Sequence, residues 1–377
     1  MPQSLYREEH ESFRATVRSF IEREVAPYHA EWERDGQVSR EVWHKAGGAG
    51  LLCTSMPAEY GGSGADFLYS AIFTEEMSRR VFSGPGFRLH SDIVAPYILH
   101  YGSEAQKRRW LPAMAKGDVI GAIAMTEPGA GSDLQGIRST AIREGEHYRL
   151  NGQKTFITNG QLADLVIVAA KTDPREGAKG ISLLLVDAKS RGFSRGRNLE
   201  KIGMKAQDTS ELFFDDVMVP EDQLLGGEGR GFACLMQQLP QERLLVAITA
   251  VAVMEAALEW TLAYTRERKA FGRAIAEFQV NRFKLAEMKT EIRIARTFLD
   301  HCLALHLEHK LDAETAAMAK WWLSELEGRI LDQCLQMHGG YGYMWEFPIA
   351  RAYADARVHR IYAGSNEIMK ELIARSL

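Results

Sequence analysis

Residues 123–133 read IAMTEPGAGSD. An apolar, strand-like run over 119–125 empties there into a polar loop carrying Met125, Thr126, Glu127, Gly129, Gly131 and Ser132. Glycines let backbone N–H groups approach a ligand closely, and Thr and Ser add short donors. The same letters serve an ordinary turn after a strand, and both readings stand at this point. Two better-known phosphate sites are excluded. The dinucleotide fingerprint wants a third glycine three residues after the second, where Leu134 stands. The chain has no G-x-x-x-x-G-K-[ST] either.

The loop lies at a change of period. Upstream, residues 1–118 read as helical. Phe13, Val17, Phe20, Ile21 and Val25 recur at helical spacing, and Pro27 ends that helix. Ser39 caps a short helix that stops at Gly47-Gly48, and 67–79 form another. Ser103, with Glu104 and Gln106, opens one more. Over 119–225 the pattern becomes strand-like. Asn151-Gly152 is a two-residue hairpin signal and Asn159-Gly160 a second turn. Residues 154–158, 165–170, 181–186 and 212–219 are β-rich runs, which together predict a small barrel or sandwich. The glycines of GGEGRG (226–231) make a joint. Beyond it the chain is helical again over about 232–268, 276–308, 312–338 and from Asn366. The expected fold is mainly α with a central β domain: a helical domain (1–118), a β domain (119–225) and a helical bundle (226–377).

Composition bounds the function. A chain of 377 residues with 46% hydrophobic and 25% charged content has room for two or three domains with real cores. A net charge of −4 without a basic stripe argues against a nucleic-acid binder. Cys53, Cys234, Cys302 and Cys334 lie far apart with no C-x-x-C, which suits reduced core thiols in a cytoplasm-like compartment and neither a disulfide framework nor a metal site. No uninterrupted apolar window of about 18 residues appears, so no membrane span is expected. The N-terminal stretch MPQSLYREEHESF has no apolar or Arg-rich leader character.

Three further constellations can carry chemistry. Arg268-Lys269-Ala270-Phe271-Gly272, followed by Gln279, suits a phosphate or ring edge, or a basic helix end meeting its macrodipole. Gln336-Met337-His338-Gly339-Gly340 again allows close backbone approach, with His338 as a structural histidine. Ile361-Tyr362-Ala363-Gly364-Ser365-Asn366-Glu367 reads as a turn with an N-cap for the last helix.

Taken in this order on a helix–β–helix frame, AMTEPGAGSD, FITNG, RKAFG, HGGYGY and IYAGSNEI resemble the acyl-CoA dehydrogenases, flavoenzymes that desaturate the Cα–Cβ bond of fatty acyl thioesters. The likeness runs from about residue 5 to 375. It implies a four-helix bundle at the C-terminus, FAD as cofactor, an acyl-CoA substrate, an electron-transferring flavoprotein as acceptor and a homo-oligomer, typically a tetramer. By the same resemblance Met125, Thr126, Gly131 and Ser132 contact the flavin, its phosphate or the pantetheine. Phe156, Ile157 and Thr158 lie along the flavin ring. Arg268, Gln279, Gln336, Gly339 and Gly340 reach the FAD of a neighbouring subunit, and Phe271 is a further cofactor contact. Ser365 and Glu367 fall near the adenosine half.

One position departs from the pattern. Most of the family carries its catalytic base as a Glu before the Gly of the last motif, and here that residue is Ala363. Glu242, in LPQERLL (239–245), stands 26 residues before Arg268, the spacing found in members that moved the base onto this helix. Its other reading is a Glu following Pro240 in a first helical turn, placed to suit the macrodipole. Gln241 and Arg243 beside it, with Ala363, Gly364 and Ser132, are the expected substrate contacts. The words LPQERLL, KAQDT, LHSDIV and NEIMKELIAR resemble the long-chain branch. Branched-chain, isovaleryl- or terpenoid-type oxidation is the alternative within the family. A non-catalytic flavoprotein, acting as an assembly or nucleic-acid-binding factor, is the alternative outside it.

Overall fold

In a computed structural model, described for residues 5–377, a helical layer leads into a β domain and then into a bundle of long helices. The first part comprises α1 (Glu8–Phe20), α2 (His29–Asp35), α3 (Arg40–Gly48), α4 (Phe67–Arg79), α5 (Phe87–Leu89), α6 (Ala95–Tyr101) and α7 (Glu104–Ala115). Their start signals are local. Asp66 caps α4 by accepting from the Leu68 N–H, and Ser103 forms a full capping box with Gln106 on α7. A π-turn, His90–Val94, joins α5 to α6.

The β domain has β1 (Gly121–Ala124), β2 (Thr140–Glu144), β3 (His147–Thr158), β4 (Leu165–Lys171), β5 (Ile181–Asp187), β6 (Phe193–Asn198), β7 (Thr209–Pro220) and β8 (Leu224–Leu225). They follow the order β6-β7-β3-β2-β4-β5-β8, with β1 parallel to β4. The sheet curls over one apolar filling that includes Tyr148, Leu150, Val166, Val168, Leu184 and Val217. The opposite face of β4 and β5 (Leu165, Ile167, Leu183) packs on Tyr97, Ile98, Leu111 and Met114 of the first helical layer. Both faces are therefore buried, which is why these strands read as unbroken apolar runs.

Asn151-Gly152 is not a hairpin turn. β3 runs straight through it, with a register shift against β7 between Leu150 and Gly152. The reversal lies at Gly145-Glu146, between the paired Glu144 and His147, where Gly145 takes φ +62. Gly152 belongs instead to a close approach, since a Cβ there would lie 2.2 Å from the Ser139 hydroxyl.

The last part holds α8 (Gly231–Glu267), a small hairpin of β9 (Lys269–Ala270) and β10 (Arg273–Ala274), α9 (Gln279–Leu307), α10 (Ala313–His338), α11 (Pro348–Ala356) and α12 (Asn366–Ala374). α8 is the central post. Leu244, Ile248, Val251 and Met254 pack against Met288, Ile292 and Leu299 of α9 and Leu323, Leu326 and Ile330 of α10. It is long and apolar enough to cross a membrane, but 83% of its apolar window is buried inside the protein. It starts at Gly231, so Pro240 lies inside it and not in its first turn. Glu242 therefore stands well within the helix, away from the N-terminal end of its dipole.

Candidate active site

Glu242 is 5% exposed on α8, and the hydroxyl of Tyr97, from α6, donates to its Oε1 at 2.9 Å. Burial raises the carboxyl from 4.5 to about 7, while the Tyr97 hydrogen bond and the charge of Arg243 pull the other way. A carboxylate poised near neutrality is what proton abstraction from a carbon acid requires. Arg243 is itself buried, and its Nε has no hydrogen-bond partner among the described residues. Gln241 reaches away from the carboxylate, its Nε2 donating to the Asp92 carbonyl at 2.7 Å. Asp92 is a second buried acid, raised to about 7 by burial and bonded by Ser70 at 2.6 Å.

Ala363 and Gly364 form the loop before α12, with φ of +54 and +87. Two successive left-handed residues, one of them not glycine, make a strained turn that needs anchoring. Lys320 of α10 anchors it. Its ammonium donates to the Gly364 carbonyl at 2.6 Å and to Asn366 Oδ1 at 2.8 Å. Burial, together with the nearby Arg243, lowers the Lys320 pKa to about 8. Ser365 is the N-cap of α12, accepting from the Ile368 N–H at 3.4 Å, and Glu367 is exposed in the first turn. The geometry thus gives Ser365 its capping reading.

Arg88 ties these pieces together. It donates to the Leu245 carbonyl and the Thr249 hydroxyl on α8, and to the Tyr362 hydroxyl at 3.1 Å. Leu245 and Thr249 follow Glu242 at i+3 and i+7, hence on its face of the helix. The loop holding Ala363 is in this way attached to the Glu242 face of α8. Two residues before Arg88, Gly86 accepts from Asn159 of FITNG, which also bonds the Gly121 carbonyl at the start of β1. A Cβ at Gly86 would lie 2.0 Å from Asn159 Oδ1, so this contact requires glycine.

The opening loop and the FITNG strand meet beside this junction. The Thr155 N–H donates to the Thr126 carbonyl at 2.9 Å. Buried Lys154 bonds the Met125 carbonyl at 3.0 Å and Glu127 at 2.8 Å. Glu127 accepts in turn from the N–H groups of Arg138 and Ser139, bracing the whole loop from within. Ile157 is buried, whereas Phe156, in a bulge at φ +61, is 67% exposed. Gly131 and Ser132 are also exposed. An outward-facing aromatic flanked by the half-buried hydroxyls of Thr126 and Thr158 forms a shelf suited to a flat ring with a polar edge, as FAD has.

Arg268, Phe271, Gln279, Gln336, Gly339 and Gly340 lie elsewhere. Arg268, the C-cap of α8, stands 26 positions after Glu242, about 39 Å along the helix. Phe271 and Gly272, at φ +52 and +80, make the tight turn of the β9–β10 hairpin, and Phe271 at its tip is 96% exposed. Arg268, Gln336, Gly339 and Gly340 line an open hollow of about 510 Å³ with Tyr264. His338 is structural, stacked on Tyr264 at 4.5 Å and bonded through Nδ1 to the Cys334 carbonyl.

Tyr97, Arg88, Asp92 and Lys320 escaped the reading of the sequence. Tyr97 sits in an apolar run, where an aromatic is indistinguishable from core. Lys320 left a trace: it shares a helix face with buried Ala316, Ala317, Leu323 and Ser324, where a lysine is out of place.

Models of the acyl-CoA dehydrogenase N-terminal, middle and C-terminal domains match residues 7–118, 122–217 and 229–377. The chain is 55% identical over 375 residues to a mitochondrial long-chain specific acyl-CoA dehydrogenase of Rattus norvegicus, covering 99% of this chain and 87% of that one. It superposes on the crystal structure of an acyl-CoA dehydrogenase from Geobacillus kaustophilus with a TM-score of 0.97 at 50% identity, covering 99% and 98% of the two chains. An acyl-CoA dehydrogenase from Bacillus anthracis, solved in complex with FAD, gives 0.92 at 32% identity, covering 99% and 68%.

Proposed function

The chain belongs to the acyl-CoA dehydrogenase family, and we propose that it is a long-chain member whose catalytic base is Glu242. It is an FAD-dependent oxidoreductase acting on the CH–CH bond of acyl-CoA. Bound FAD supplies the acceptor for the β-hydrogen, taken as hydride.

The protein's own residues do the rest. Glu242 removes the α-proton. The backbone N–H of Ala363, held in its strained turn by Lys320 through Gly364, faces the thioester oxygen as negative charge develops there. That task needs no side chain, so a residue that cannot act as a base fills the position. Phe156 and Thr158 seat the ring of the cofactor, and the Glu127–Lys154 pair keeps the loop of Met125, Thr126, Gly131 and Ser132 in place. The observation that carries this reading is the pairing of a buried, Tyr97-bonded Glu242 with an Ala at 363.

Arg268, Phe271, Gln279, Gln336, Gly339 and Gly340 serve the FAD of a neighbouring subunit. The separation along α8 supports this, as does the exposed apolar surface of Phe271, Val280 and Phe283 around them. The functional unit is then an oligomer, and an electron-transferring flavoprotein collects the electrons. The four buried, free cysteines suit a reducing, cytoplasm-like compartment.

Long-chain preference is tested by anaerobic titration of the flavin spectrum with acyl-CoAs of graded length and branching. Preferential bleaching by long straight chains supports it. Bleaching by isovaleryl-CoA alone moves the assignment to the branched class, and bound flavin that no acyl-CoA reduces overturns the catalytic reading.

A further inference from the structure

We propose that Tyr97 is the positioning residue of the base: its hydroxyl holds Oε1 of Glu242 and leaves Oε2 as the oxygen that receives the α-proton. This rests on the reading of Glu242 given above. Tyr97 is fully buried on α6, packed among Ile98, Trp110, Leu111 and Leu235, so the ring has nowhere else to turn. Its hydroxyl lies 2.9 Å from Oε1, and Oε2 accepts no hydrogen bond among the described residues.

The groups around the pair are few. Arg243 lies next to Glu242 on α8, and Cys234 of α8 and Tyr101 of α6 face the phenol. Asp92 stands behind Gln241. Burial, reinforced by Glu242, pushes the phenol well above 10, so it remains a donor throughout the working range. A permanent donor on one oxygen favours the anion and removes one of the two orientations a free carboxylate would sample. Because α6 and α8 are joined through this bond across 145 residues, the first helical layer sets the orientation of a base carried by the bundle.

The test is the pH dependence of kcat for FAD-loaded Tyr97→Phe. Removing the donor raises the carboxyl pKa, so the acid limb moves to higher pH, by about one unit for a hydrogen bond to a charged group. The plateau kcat falls several-fold and KM changes little. A packing control, Ile98→Val, leaves the limb in place. Should Tyr97→Phe fail to load FAD, 3-fluorotyrosine at position 97, a stronger donor of nearly the same shape, moves the limb to lower pH. A limb that superimposes on the parent enzyme in the informative variant overturns the proposal. Glu242→Gln, made in parallel, separates the failures: substantial turnover there sinks the base itself, whereas a dead Glu242→Gln with an unshifted Tyr97 variant sinks only the role of Tyr97.

Discussion

The ammonium of Lys320 lies 2.6 Å from the carbonyl oxygen of Gly364 and 2.8 Å from Oδ1 of Asn366, both uncharged acceptors. A buried cation spent on a loop carbonyl costs desolvation that a hydrophobic residue would avoid. It also fixes the turn in which Ala363 stands. Lys320→Met should therefore separate stability from activity. We expect unfolding free energy to change by no more than about 1 kcal/mol, as lost hydrogen bonds offset the removed charge. We expect kcat to fall about ten-fold or more as the Ala363 N–H loses its aim. Urea melts and steady-state kinetics on FAD-loaded protein check both. Unchanged kcat would sink the clamp.

Glu242 should be a stability liability. Its native pKa of about 7 lies above the ordinary 4.5. Between those values the folded protein holds a proton that the unfolded chain has released, so stability falls as pH rises through the window. The penalty is on the order of 3 kcal/mol once pH exceeds about 7. Gln cannot carry that charge, and its carbonyl still accepts from Tyr97. Glu242→Gln should be more stable than the parent at pH 8 by about 1–3 kcal/mol and gain much less at pH 5. Asp92 titrates in both proteins and cancels in the difference. Equal stability at pH 8 would contradict the buried anion.

Mixing tests the shared site. Arg268→Ala and Glu242→Gln should each be inactive alone, the first for want of bound FAD and the second for want of a base. Co-refolded mixtures should recover turnover, because sites joining an intact Glu242 to a partner's intact arginine then exist. No recovery in demonstrably mixed oligomers would place Arg268 outside the neighbouring site.

Lys154→Met should empty the cofactor shelf. The substitution strands Glu127 as a buried carboxylate without its cation, a change that costs about 3–5 kcal/mol. The loop of Met125 and Thr126 then loses its brace, and the purified protein should come out colourless. Retention of FAD at parental stoichiometry would mean that the pair does not hold the shelf.

The sequence carried the frame well because the frame rests on local chemistry. The switch from 3.6-residue to two-residue period, the Ser103 capping box and the long apolar run of α8 all appear where the letters point. Asn151-Gly152 misled because turn propensity is a local preference, and pairing with β7 along the whole strand overrode it. The alternative reading of Pro240 as a first-turn residue failed for the same reason: nine preceding residues extend the helix past a residue that usually opens one. At the site, Glu242 was legible as a candidate base only through the resemblance, which gives its spacing from Arg268 and the Ala at 363 a meaning. Tyr97, Arg88 and Lys320 were not, because each acts through a contact more than 40 residues away and none lies in a patterned motif.

The most direct test of the account is the rate of flavin bleaching when FAD-loaded Glu242→Gln is mixed anaerobically with a saturating long-chain acyl-CoA. With the base removed, bleaching should slow by about 10²–10⁴-fold while FAD content and acyl-CoA affinity stay near those of the parent. Bleaching within a few-fold of the parent rate would show that another group takes the α-proton and that Glu242 is a buried structural acid.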